Sequence, residues 1–435
     1  MERIMKSWGF AVLVIGGLLI CPRPASAFFV DIDTAPPLEK QKESPAESHY
    51  QTGIQKLAQG DLKQAREAFQ KSLKVNSKYV KSILGLAEIA FKEGEVRQAG
   101  QYLKDAMSLS PESGDIQTAW ARYLYLEKRF SEAEVAFKKA LTLAPRGVAA
   151  YVDLGDMYMN AMQDTRKAIE AYKGAIDVDP EHAGAHYALG VALSSLGKIE
   201  EAQPEFETAR NLAPENPLPI QALVRLHLER QEYAKALEYL DALLKFNPKF
   251  VPAYLDRGDI HMISGEHEKA IHEYESALKV DSKFSPAYVK IGMVRQIRKQ
   301  PKEAQEAYRM AIKLNPNEIF AYNNLACVLV ENQGDMGEAL KSAQKAVELA
   351  PGVSQFWDTL GWVERASGDT AKAVTSLEKA VSLPNPTAET YYHLGVVYTE
   401  IGKKSEATGA FKKAVEGNQN FPGLEDAQQR LQALQ

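Results

Sequence analysis

The chain has 435 residues, 45% of them hydrophobic and 25% charged, with 52 Lys and Arg against 57 Asp and Glu for a net charge of −5. That mild acidity argues against nucleic-acid binding, which demands a basic stripe. Two cysteines, Cys21 and Cys327, make no disulfide framework, so packing alone must hold the fold.

The amino terminus reads as a segment apart. Arg3 and Lys6 precede an apolar run from Gly9 to Ile20, and Pro22, Pro24 and Ala25-Ser26-Ala27 follow. Basic, then apolar, then small is the order of a secretory signal peptide, predicted over 1–27 with cleavage after Ala27. The run is twelve residues, which as a helix rises only ~18 Å, short of the ~30 Å hydrocarbon layer. A permanent span is therefore the weaker reading, with an uncleaved anchor as its alternative. Leu18-Leu19-Ile20-Cys21 resembles a bacterial lipobox, but Ile20 stands where that signal wants a small residue, so lipidation of Cys21 is a lesser alternative. The chain has no twin arginine, which favours general secretion and a periplasmic or cell-envelope destination. Cleavage would leave 49 basic and 56 acidic residues, a net of −7, with Cys327 as the lone thiol. Residues 28–45 open with Phe28-Phe29-Val30 and turn polar around Pro36, Pro37 and Pro45, as a flexible spacer does.

From 46 to 421 the sequence repeats. Eleven alanines, Ala65, Ala99, Ala133, Ala168, Ala202, Ala236, Ala270, Ala304, Ala339, Ala373 and Ala407, follow one another at 34 residues, stretched twice to 35. Self-similarity at a fixed period means one supersecondary unit stacked on itself. Twelve or thirteen residues before each alanine is a small slot, Gly53, Ala87, Ala121, Gly155, Gly190, Gly258, Gly292, Ala326, Gly361 and Gly395, with Val224 the exception. Four residues after it, one helical turn along the same face, is a larger apolar slot that includes Phe69, Leu103, Phe137, Tyr172, Phe206, Tyr274, Tyr308 and Phe411, with Ala343 smaller. Three further on, nine of eleven units carry a second alanine, Ser72 and Leu243 departing. The units break at Pro111, Pro145, Pro180, Pro214, Pro248, Pro316 and Pro351, because proline cannot continue a helix.

Each unit thus predicts helix, tight turn, helix, proline-marked turn. The pattern resembles the tetratricopeptide repeat, most closely in Tyr151-Val152-Asp153-Leu154-Gly155-Asp156-Met157-Tyr158 and Trp357-Asp358-Thr359-Leu360-Gly361. The resemblance implies an all-α fold, a right-handed superhelical solenoid of about eleven antiparallel helix-pair repeats. It also implies that the first helix of each unit lines a concave face. After the last unit, Leu424, Ala427, Leu431 and Leu434 fall at helical spacing, so 422–435 predicts a capping helix with one apolar face.

Chemistry is sparse. The sequence holds no P-loop, no Gly-x-Gly-x-x-Gly, no His-Glu-x-x-His and no Gly-x-Ser-x-Gly. His186 falls in the slot of Tyr151, Tyr254 and Trp357, and His261 in that of Tyr158 and Tyr398, which makes them packing residues rather than metal ligands. Cys327 reads as a small apolar filler. No catalytic residue, cofactor or metal is expected, and the protein is not expected to be an enzyme.

The concave face then carries function. Units one to four would display Tyr50, Lys81, Glu88, Lys92, Arg122, Asp156 and Asn160. Units seven to nine would display an apolar stripe of Leu255, Met262, Ile263, Val289, Met293, Ile297, Phe320, Cys327 and Val330. Such a stripe suits a groove for a partner's helix or extended peptide, unless its members pack against the neighbouring repeat. The Lys/Asn clamp that holds chaperone tails in this family has no counterpart in pairs such as Leu84/Glu88, Thr118/Arg122 and Val152/Asp156. Of the family's asparagine ladder only Asn324 is present. The expectation is an exported scaffold for proteins of a bacterial envelope complex, as in polysaccharide export or outer-membrane and pilus assembly. Membrane contact would be indirect, or through a retained signal or lipidated Cys21. Self-association into a filament or coat is the alternative.

Overall fold

A computed structural model describes residues 44–416 and 421–434. The expected signal peptide, its cleavage site, Cys21 and the spacer up to 43 lie outside the described residues. Among those described are 23 α-helices and no strand.

The helices alternate as first and second members of pairs. They begin with α1 (Pro45–Ala58), α2 (Leu62–Val75), α3 (Val80–Lys92), α4 (Val96–Leu109), α5 (Gly114–Leu126) and α6 (Phe130–Leu143). Next come α7 (Val148–Asn160), α8 (Thr165–Val178), α9 (Ala183–Ser195), α10 (Ile199–Leu212), α11 (Pro217–Glu229) and α12 (Tyr233–Phe246). Then follow α13 (Val251–Ile263), α14 (His267–Val280), α15 (Ser285–Ile297), α16 (Pro301–Leu314), α17 (Ile319–Glu331) and α18 (Met336–Leu349). The chain closes with α19 (Ser354–Ala366), α20 (Thr370–Ser382), α21 (Ala388–Glu400), α22 (Lys404–Glu416) and α23 (Leu424–Leu434). Helix α1 starts one residue inside the expected spacer, because Pro45 occupies its first turn and the Ser44 side chain accepts from the Glu47 N–H.

Two compact units divide at Arg230/Gln231, inside the sixth repeat. Helices α1–α11 form the first and α12–α23 the second. Within each, the first helices other than α11 lie against the second helix of their own repeat, and each second helix against the next first helix.

The two slots of the 34-residue period meet inside each pair. A Cβ placed on Gly292 would come within 2.5 Å of Tyr308 Cε1, and on Gly155 within 2.5 Å of Tyr172 Cε1. On Gly190 it would come within 2.6 Å of Phe206 Cε1. Glycine is required because the ring of the second helix lies flat against the backbone of the first. In two units the small slot is an alanine opposite a residue without a ring: Ala87 shares a cluster with Leu103, and Ala326 with Ala343. The period's alanines are sealed between helices, Ala65 to Ala407 each at 0% exposure. Helix α23 seats Ala427, also at 0%, against Phe411 and Phe421 and half-buries Leu424, Leu431 and Leu434.

The turn joining the helices of a pair needs one left-handed residue. Glycine supplies it at Gly60, Gly94, Gly197, Gly265, Gly368 and Gly402, whereas Lys128, Gln163, Gln231, Lys299 and Gln333 adopt it with a side chain, Lys299 at φ 58°. A residue with a Cβ pays for this conformation by ~1 kcal/mol. Lys299→Gly is therefore expected to raise the unfolding free energy, by ~1 kcal/mol at most. Gly292→Ala is expected to lower stability by ~1–3 kcal/mol through overpacking against Tyr308. Urea melts followed by circular dichroism read both.

Candidate functional site

Successive first helices approach one another, as in α5/α7, α15/α17, α17/α19 and α19/α21. Among the described residues no successive second helices do so to a comparable extent. A stack in which only one layer of helices closes up is concave on that layer, so the first helices line the inner face of each unit.

The expected apolar stripe does not stand open on that face. Met262 (0% exposed), Val289 (6%) and Met293 (2%) are core residues. Leu255 and Ile297 pack against Met262, Ala270, Tyr274 and Val294. Val330 packs against the cluster holding Val289 and Met293. Ile263 is half-buried. Cys327 lies with its Sγ 3.6 Å from Thr359 Oγ1, and burial pushes its thiol up to about 12. Phe320 alone of the stripe is exposed, at 39%, its ring edge-on to Phe356 at 6.0 Å. The physical reason is the closeness of successive first helices: an apolar residue in an inner slot is covered by the next repeat. The expected polar wall of units one to four is likewise partly closed, since Tyr50, Glu88 and Arg122 are buried.

What the inner face does carry is a diagonal of contacts between repeats. The slot one residue past the small slot meets, in the next repeat, the slot three positions earlier. In the first unit Arg122 Nε donates to Asp153 Oδ2 at 2.5 Å. In the second, Lys290 Nζ donates to Asp259 Oδ2 at 2.9 Å, Cys327 meets Thr359, and Trp362 stacks on His393 at 4.0 Å. Further contacts reinforce it. Tyr274 Oη donates to Asp259 at 2.7 Å, Gln296 Nε2 to Glu331 at 3.1 Å, and Arg365 Nε to Glu400 at 2.9 Å.

Two carboxylates on this face of the second unit, Asp256 and Glu389, make no hydrogen bond or ion pair with another described residue. Burial pushes Asp256 up to about 7, with Asp259 adding to the rise and Lys290 opposing it. Burial does the same to Glu389, also to about 7, with Asp358 and Glu331 adding and His393 opposing. Glu331 is raised too, again by burial. Among the described residues no three His, Cys, Asp or Glu converge on a metal position. His186 and His261 instead pair through Nδ1 with Glu205 and Glu266, each at 2.6 Å. None of the described helices is long and apolar enough to cross a membrane.

Tetratricopeptide repeat models match residues 56–123, 159–225, 197–256, 251–284, 285–318, 321–352 and 359–425. The chain belongs to the tetratricopeptide repeat family. Among curated relatives, anaphase-promoting complex subunit 3 of Schizosaccharomyces pombe is 23% identical over 189 residues, 43% of this chain and 28% of that one. Cellulose synthase 1 operon protein C of Komagataeibacter xylinus is 25% identical over 178 residues, 37% of this chain and 12% of that one. The aligned part of this tetratricopeptide chain thus spans less than a third of either relative. Among solved structures, the APC/C hetero-tetramer Cut9-Hcn1 aligns at a TM-score of 0.46 and 15% identity, covering 90% of this chain and 96% of that one.

Removing one member of a buried ion pair strands the other, a penalty of several kcal/mol when both are fully dry. The Lys290 and Asp259 side chains keep 11% and 14% of their exposure. Lys290→Met is accordingly expected to destabilise by ~1–3 kcal/mol, with most of the loss recovered on adding Asp259→Asn. Met293→Asp places an unpaired carboxylate in the core and is expected to abolish cooperative unfolding. Denaturant melts of the four proteins, wild type included, test both statements.

Proposed function

We propose that this chain is an exported binding scaffold of a bacterial cell envelope, and that the inner face of 251–400 holds an extended or helical segment of a partner protein. The family supports a role in protein–protein interaction rather than catalysis. The order Arg3, Lys6, the apolar run to Ile20 and Ala25-Ser26-Ala27 supports export. The observation that carries the site is the pair Asp256 and Glu389, half-buried carboxylates that the fold leaves unpartnered on that face, with Glu331 and Asp358 between them in sequence. Their surroundings disfavour the ionised form, and a basic side chain brought by a partner would favour it. The partner segment accordingly carries Lys or Arg, and Phe320 offers an apolar contact at the rim.

In affinity capture from the envelope fraction, wild-type protein is expected to retain partners that a helical Asp256→Lys, Glu331→Lys, Glu389→Lys variant loses. Equal capture by both would place binding off this face, and capture of further copies of the chain alone would make self-assembly the function. N-terminal sequencing of the protein recovered from the envelope is expected to begin at Phe28. Recovery from the cytoplasm with Met1 intact would contradict export.

A further inference from the structure

The last two repeats carry a cluster of ionisable and aromatic side chains that shares Glu389 with the proposed binding face. On α19, Asp358, Trp362 and Arg365 are spaced four and three apart and share one helical face. On α21, Glu389 and His393 are spaced four apart and share the face that meets it. His393 Nδ1 lies 2.8 Å from Asp358 Oδ1, and the two side chains retain 12% and 14% exposure. Its ring stacks on Trp362 at 4.0 Å and 22°, and the Arg365 guanidinium stands 4.5 Å from the centroid of that same indole. One imidazole is thus ion-paired and stacked onto the preceding first helix in a single contact.

We propose that His393 and Glu389 form a pH-sensitive latch that holds repeat eleven against repeat ten and loosens as pH rises through neutrality.

The charged groups acting on His393 are Asp358 and Arg365 from α19 and Glu389 from its own helix. Glu331 of α17 acts on Glu389 in turn. The other elements packed on α21 direct their charges to its tyrosines instead. From α20, Glu378 accepts from Tyr398 Oη; from α22, Lys413 lies over Tyr391; from α23, Asp426 accepts from Tyr392 Oη and pairs with Arg430. Burial works against the imidazolium, but Asp358 and Glu389 outweigh it and hold His393 above its ordinary range. A raised histidine contributes stability that is complete below its unfolded pKa of ~6.5 and is lost as pH climbs through the raised value. Glu389, raised by burial to about 7, adds a second loss of the same sign, since its buried carboxyl is tolerated when neutral and penalised when ionised. At mildly acid pH the trio of Asp358, His393 and Glu389 carries no net charge. Above both transitions it holds two adjacent carboxylates and no cation.

Hydrogen exchange by mass spectrometry on the purified full chain at pH 6, 7 and 8, corrected for intrinsic rates, tests the latch. Protection of α21 is expected to fall about tenfold for each pKa unit by which folding shifts these groups, while that of α5 stays level. His393→Gln and Glu389→Gln should each flatten the α21 profile; should the first fail to fold, the second decides. A wild-type profile that is flat or rises with pH overturns the latch, as does a fall that survives unchanged in Glu389→Gln. The readout involves no partner, so failure of the proposed binding face leaves it intact, and the reverse holds.

Discussion

One contact repeated along the chain governs the rest of the structure: the side chain of the second helix laid on the bare backbone of the first. The rings of Tyr308, Tyr172 and Phe206 press on Gly292, Gly155 and Gly190 so closely that even a methyl group has no room. This fixes the spacing of the two helices in a pair. A period of 34 or 35 residues then makes successive pairs near-identical wedges, and the fully buried alanines seal one wedge to the next. Stability in such an array is close to a sum of repeat and nearest-neighbour terms. Among the described residues the apolar side chains gather in clusters that run from one pair to the next.

The concave face of each unit is built by the same wedges. Because only the first helices close up, their inner slots confront one another across repeats, which is why Arg122 finds Asp153, Asp259 finds Lys290 and Trp362 finds His393. Pairs of this kind add little net stability over apolar contacts. They do penalise misregister, where a charge would be buried alone. Beside this ladder Asp256 and Glu389, half-buried carboxylates with raised pKa values, are the residues on which the proposed partner contact rests.

The fold was legible because its determinants are local and periodic: the alanines, the small slots, the larger apolar slots and the prolines each map onto one feature of a helix pair. The site was legible only in part. Met262, Val289 and Met293 occupy inner slots and are apolar, and the sequence cannot distinguish a residue that faces a partner from one covered by the next repeat. That distinction depends on how tightly successive first helices close, a tertiary quantity. The ladder did leave a trace, since Arg122 and Asp153, like Asp259 and Lys290, are opposite charges 31 residues apart, three short of the period. Comparing slots diagonally rather than in register would have found it. Nothing local reports the raised carboxyls, because burial by neighbouring repeats creates them.

The account rests on the inner face of the second unit being the binding face. Hydrogen exchange of the protein with and without its captured envelope partner tests this most directly. The account predicts new protection in α13, α15, α17, α19 and α21, strongest around Asp256 and Glu389, with the second helices unchanged. Protection confined to the second helices, or to the first unit, would contradict it.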